Sequence, residues 1–294
     1  MDLTKQNIAD VSRGFDKRFQ LGMGSVAPWY TKLATVVPST GAETLYGFMK
    51  TLPKLREWVG PRVVNNLEQY DYTIRNKTFE DTVGIKREAF EDDSYGVYAP
   101  TMEELGRQAA KLPDDLIADL ILNGQSKLCF DGQYFFDTDH PMGGSTQSNL
   151  FTGKPFSETT FAEVRQAMQL FKDDSGRPMG VNPNLLVVGP KLEIDARKVI
   201  NATLTANGGT NVLAGIVDLL VLPDLGATED WELFDTTRPI KPFVHQTRRA
   251  PRFVSRTDVT DDNVFSRNKF EWGVDLRANA GYGLWFLAAK ATKT

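Results

Sequence analysis

Between residues 69 and 85 the chain reads QYDYTIRNKTFEDTVGI, in which Tyr70, Tyr72, Ile74 and then Phe79 punctuate polar neighbours at even spacing. That period of two predicts extended chain with one face apolar. The surrounding stretch 51–91 carries seven basic and seven acidic residues, a balance that suits a surface ribbon better than a central strand. A two-stranded ribbon is marginal in water, so it needs a neighbour to lie on. The period changes at PTMEELGRQAAKLPDDLIADLILNG, residues 100–124, where Met102, Leu105, Ala109, Leu112, Leu116 and Leu120 recur at three and four. Here the pattern predicts a long amphipathic helix, with Thr101 and Glu104 as a capping box, a kink or break at Pro113, and Asn123-Gly124 at its end.

The remaining segments alternate in type. Residues 159–176 predict a second helix with Thr160 and Glu163 at capping-box spacing and Gly176 closing it. NPNLLVVG at 182–189 predicts a buried strand leading into a helix at 190–202 with Pro190 at its start. Residues 203–215 have loop composition, IVDLLVLPDL and WELFDTT predict strands, and the part after residue 252 alternates polar and aromatic residues as a sheet does. The first fifty residues show no sustained period beyond a short helix near 4–20 and predict an irregular arm. Together these elements predict an α+β body with long appendages that cannot satisfy themselves.

Composition alters this picture little. With 41% hydrophobic and 24% charged residues among 294, the chain has the makings of a folded globule. The formal net charge of −4 disfavours a general affinity for nucleic acid. The most basic stretch, HQTRRAPRFVSR at 245–256, holds Arg248, Arg249, Arg252 and Arg256 but is followed at once by TDVTDD, so a solvated strand with locally paired charges is expected there. A nucleic-acid or partner role is the competing reading. No run of about 20 apolar residues predicts a membrane span, and a single cysteine fits a reducing compartment, with cytoplasm the default.

The segment DGQYFFDTDHP, 131–141, concentrates Asp131, Asp137, Asp139 and His140 and raises the question of catalysis. Zinc needs several ligands, and the chain offers one cysteine and two histidines; Cys129 and His140 lie eleven apart without a further partner signature. Phosphate-loop, dinucleotide and nucleophile-elbow motifs are missing. Adjacent aspartates elsewhere are the residues of caps and turns. The expectation is therefore no catalytic residue, no cofactor and no metal, and an architectural role for 131–141: a glycine turn, an aromatic anchor of Tyr134, Phe135 and Phe136, and a bend at Pro141.

In order along the chain, WVGPR (58–62), YGVYAPTMEELGRQAA (95–110), FFDTDHP (135–141), DDSGRPMGVNPNLLVVGPKLEIDARKVI (173–200), WELFD (231–235) and WGVDLRANAGYGLW (272–285) resemble the major head proteins of Mu-like phages and prophages, which have the Hong Kong phage (HK97-type) capsid fold. The resemblance implies an N-terminal arm (1–50), an extended β-ribbon loop (51–91), a peripheral domain (92–184 and 241–294) with a spine helix, and an axial domain (185–240). It implies a non-enzymatic subunit that self-assembles, as pentamers and hexamers, into an icosahedral shell enclosing double-stranded phage DNA held non-specifically on its inner face. The expected location is the virion, with assembly in the host bacterial cytoplasm and no membrane partner. Scaffold and protease are expected as separate chains, and a portal as a further partner. The ribbon residues Trp58, Arg62, Tyr70, Tyr72 and Arg75 are expected at subunit contacts. Some relatives crosslink Lys to Asn; Lys77 and Asn76 lie in the ribbon, but no partner carboxylate is evident. Two other functions compete: a nanocompartment shell of the same fold around an enzyme cargo, and a carboxylate-dependent hydrolase.

Overall fold

The computed structural model describes residues 4–49, 69–92, 95–142, 145–173, 175–204, 208–258 and 260–294. In chain order they form helix α1 (Lys5–Gly24), helix α2 (Tyr30–Leu33), strands β1 (Ala34–Pro38), β2 (Glu43–Met49), β3 (Gln69–Arg75) and β4 (Lys77–Lys86), and helix α3 (Arg87–Glu91). A 3₁₀ turn at Tyr95–Tyr98 runs into helix α4 (Ala99–Leu122). Strands β5 (His140–Met142), β6 (Ser145–Gln147) and β7 (Leu150–Phe151) follow, then helix α5 (Glu158–Gln169), strand β8 (Leu185–Val188), helix α6 (Glu193–Ile200) and strands β9 (Asp218–Val221), β10 (Trp231–Phe234) and β11 (Phe243–Arg256). The chain closes with helix α7 (Asp262–Arg267) and strands β12 (Lys269–Tyr282) and β13 (Ala288–Ala291).

Two sheets organise the body. One has the order β1-β11-β12-β4, antiparallel except for the parallel pair β1 and β11. The other has the order β7-β13-β10-β8-β9, with β10 at its centre between β13 and β8. Along β12, Phe270, Trp272, Val274, Leu276 and Ala278 are buried at every second position and face α1 and α4. Helix α1 meets them with Ile8, Val11, Phe15 and Phe19, one stripe at three- and four-residue spacing. Its Thr4 side chain accepts the Asn7 N–H at 3.2 Å, a regular N-cap.

α1 and α4 approach closely because both are glycine at the crossing. A Cβ on Gly22 would lie 1.9 Å from the Glu103 carbonyl oxygen, and one on Gly106 would lie 2.1 Å from that of Phe19. Further along α4, the buried Asp114 carboxylate accepts the N–H groups of Trp29 at 3.0 Å and Tyr30 at 2.7 Å, which fixes α2 against the long helix.

Several local expectations are corrected. The helix expected near 4–20 is present as α1, longer by a turn, but the described residues after it are not irregular: they hold two strands. Thr101 and Glu104 form no capping box, since α4 already starts at Ala99, out of the preceding 3₁₀ turn, with Pro100 in its first turn where a missing N–H costs nothing. The helix also runs through Pro113 without ending. Its innermost residues in the second half are Ile117, Leu120 and Ile121, while Leu112 and Leu116 are only half-buried. Helix α5 is capped by Ser157 and Thr160, each binding the other's backbone, rather than by Thr160 and Glu163, and it ends at Gln169 well before Gly176. The ribbon is shifted as well. Its paired strands are β2 and β3, so it starts at residue 43, and β4 leaves it to join the body sheet; residues 51–68 lie outside the described residues.

Candidate functional site

His140 is the centre of a buried polar cluster that the order of residues alone did not reveal. The chain reverses at Cys129–Gln133, where the Cys129 N–H donates to the Gln133 carbonyl at 2.8 Å and Gly132 adopts φ +87°, a conformation that favours glycine. This turn points the Asp131 carboxylate inward. One oxygen, Oδ1, accepts from Cys129 Sγ at 2.9 Å and from the Gln133 N–H at 3.1 Å; Oδ2 lies 2.7 Å from His140 Nδ1. On the other side of the ring, Nε2 lies 3.2 Å from Asn149 Oδ1. The Asn149 amide is already oriented, because its NH₂ donates to the carbonyls of Phe135 at 2.8 Å and Trp285 at 3.2 Å while Oδ1 accepts the Asp137 N–H at 2.9 Å. Nε2 therefore faces an acceptor and must carry a hydrogen. The imidazole also lies flat on Trp285, with ring centroids 4.0 Å apart and 7° between planes.

Burial opposes the charge on Asp131, but the hydrogen bonds from His140 and Cys129 outweigh it and hold the carboxyl below its usual range. Burial first, and then the Asp131 charge, push the Cys129 thiol far up, so it is no ready nucleophile. The other acidic residues of 131–141 do not join: Asp139 is exposed, and Asp137 caps the N–H groups of Tyr134 and Thr138. The aromatic anchor consists of Phe135 and Phe136 alone. Phe135 stacks on Tyr282 at 4.5 Å, Phe136 occupies the space left by Gly124, and Tyr134 is exposed rather than anchored.

A second buried charge pair lies nearby in the central sheet. Lys290 on β13 reaches Glu232 on β10 at 3.1 Å and Asp230 at 3.5 Å. Burial raises the Glu232 carboxyl, an effect the lysine only partly offsets.

The expected contact residues are differently placed. Trp58 and Arg62 lie outside the described residues. Tyr70 lies on β3 opposite Phe48. Tyr72 turns toward its own body, where its hydroxyl accepts the Tyr282 N–H at 3.3 Å, and Ile74 beside it is buried against Gly281. Arg75 is exposed, 3.4 Å from Glu43 across the ribbon. The ribbon's root is fixed by Gln246, which donates to the Ile74 carbonyl at 2.9 Å and Asn76 Oδ1 at 2.8 Å and accepts the Tyr46 hydroxyl at 3.0 Å. The Asn76 amide in turn donates to Ser39 and Gly41, so it is occupied within its own chain. In the basic stretch, Arg249 and Arg252 both pair with Asp275, at 3.0 and 2.9 Å, whereas Arg248 donates to the Ser39 carbonyl.

No described helix is long and apolar enough to cross a membrane. With its N-terminal helix, ribbon, long helix α4 and two-sheet body, the chain has the fold of a phage capsid subunit of the HK97 type. It is similar to a chain of the bacteriophage JBD30 procapsid, with TM-score 0.63 and 34% identity over 99% of this chain and 77% of that one. The chain belongs to the family of the Mu-like prophage major head subunit gpT, whose model matches residues 8–155, 147–225 and 224–294. It is 34% identical to the major capsid protein of Escherichia phage Mu over 98% of this chain and 74% of that protein. It is 33% identical to the Mu-like prophage FluMu major head subunit of Haemophilus influenzae over 94% of this chain and 70% of that protein. The protein is thus a major capsid subunit, a structural rather than an enzymatic component of the virion.

Proposed function

We propose that copies of this chain close, as pentamers and hexamers, into an icosahedral shell around double-stranded DNA, with separate scaffold and protease chains and a portal completing the head in the host bacterial cytoplasm. The observation that carries this reading is the division of labour in the ribbon β2–β3. One face, with Thr44, Tyr46, Tyr72 and Ile74, is spent on its own body, while the other leaves Glu43, Leu45, Asp71, Thr73 and Arg75 exposed. An apolar Leu45 framed by charges on a projecting two-stranded element suits contact with a neighbouring copy. In this reading the residues before the ribbon form the arm, β2–β3 with the residues between them the extended loop, 92–184 with 241–294 the peripheral domain and 185–240 the axial domain, while β4 belongs to the body sheet. Trp58, Arg62, Tyr70, Tyr72 and Arg75 then belong to the loop that engages the next subunit, with Tyr72 supporting it from below.

Electron microscopy of the purified particles provides the test. Closed shells holding nuclease-protected DNA are expected, and replacing residues 48–70 by a short linker, which spares Tyr72, Ile74, Asn76 and β4, should leave soluble chain that forms none. Shells filled with a protein cargo would support a compartment instead. Normal particles from the linker variant would remove the ribbon from assembly.

A further inference from the structure

Cys129 Sγ, an Asp131 carboxylate oxygen and a ring nitrogen of His140 all lie within 4.8 Å of one another, the one such mixed donor group among the described residues. We propose that this cluster is a structural binding site for a divalent transition metal of the zinc type. The donor set is the first argument: thiolate, imidazole and carboxylate are the three ligand classes of protein zinc, and together they favour a borderline-soft cation over magnesium or calcium.

The surroundings supply the second. Metal-bound histidine characteristically donates its remote ring N–H to an oxygen that fixes the tautomer. Asn149 provides that oxygen at Nε2, and its own orientation is dictated by three further hydrogen bonds. The nitrogen aimed at Asp131 and Cys129 is then Nδ1. All three side chains are shielded from solvent, so a bound ion would exchange slowly. Trp285, flat on the His140 ring, fixes the plane in which Nδ1 points. The Tyr134 carbonyl, 4.0 Å from the sulfur, is a further oxygen donor close to the set.

Charge balance is the third argument. In the metal-free form one proton sits on Cys129 and another between Asp131 Oδ2 and His140 Nδ1, accounting for the 2.9 and 2.7 Å contacts. A dication displaces both, leaving thiolate, carboxylate and neutral imidazole around it, so the net charge of the buried cluster does not change and two protons leave for each metal bound.

The full-length chain, stripped with chelator and dialysed, is titrated with Zn²⁺ and separately with Co²⁺. Expected are one metal per chain, release of two protons per Zn²⁺ in weakly buffered solution, and a sulfur-to-cobalt charge-transfer band in the near ultraviolet. Cys129→Ser should abolish the band and lower zinc affinity at least tenfold, and His140→Gln should do the same wherever it folds. Stoichiometry below a tenth, cobalt binding without the sulfur band, or equal affinity in wild type and Cys129→Ser would each overturn the site. The wild-type cobalt spectrum decides the matter even if neither variant folds.

Discussion

His245 shows how one buried side chain sets the response of the whole chain to acid. It is held on β11 against Tyr30, with ring centroids 5.0 Å apart, and neither of its nitrogens has a hydrogen-bond partner. Burial lowers its pKa from 6.5 to about 4. Between those values the unfolded chain binds a proton that the folded chain refuses, so the stability is complete above pH 6.5 and is lost as pH falls toward 4. The interval corresponds to about 3 kcal/mol. His245→Leu, close in volume, should flatten the denaturant midpoint over that pH range; an unchanged slope would show that other groups govern acid sensitivity. Nothing in the linear sequence marks His245 as buried without a partner, and the aspartate adjacent to His140, Asp139, is not the one that binds it. The difference comes from partners far away in sequence, Asn149 and Trp285 for one and Tyr30 for the other. The sequence counted ligands for His140 and found too few, because Asp131 becomes its partner only through the reversal at Gly132.

Among the elements, helices with unbroken periodicity were legible and their ends were not. The length of α4 follows from its three-and-four spacing, yet the stripe through Leu112 and Leu116 is rotated from the innermost line, which runs through Ile117 and Ile121. The reason is the neighbour: α1 crosses at Gly106, and α2 is held at Asp114, so packing partners rather than hydrophobicity choose the face. The same crossing makes a sharp expectation. In an isolated helix Gly→Ala is favourable by about 1 kcal/mol. At Gly106 the added carbon would overlap the Phe19 carbonyl oxygen, so the helices must separate, and Gly106→Ala should instead cost about 2–3 kcal/mol in chemical denaturation, the upper part of the range for overpacking. Gly14→Ala, with open space around the new carbon, serves as the control and should be neutral or stabilising. Equal effects at the two positions would mean that the close approach does not limit stability. Ribbon strands were visible as alternation, but which of them pair was not. Alternation is shared by β3 and β4, and only tertiary contact sends β4 to the body sheet beside β12.

At the scale of the molecule, the capsid class was legible because motifs of the family are spread in order over most of the chain, whereas the two-sheet topology was not, because it depends on pairings between distant segments. Residues 34–38 lie parallel to 243–247, and 77–86 pair with 269–278. In the second sheet, β13 separates β7 from β10, so residues 288–291 complete what residues 150–234 began. Both sheets thus wait for β12 and β13. Dominance of such non-local pairings predicts slow folding, and a nascent chain emerging from its N-terminus must hold β1 and β4 without their sheet partners until β11 and β12 have been made. A chain ending at residue 268 should accordingly be insoluble or protease-sensitive; recovery of a soluble form with cooperative unfolding would refute this. The interleaving acts as proofreading by synthesis: a polypeptide interrupted before residue 269 lacks an inner strand of each sheet and has no folded surface with which to enter and spoil a growing shell.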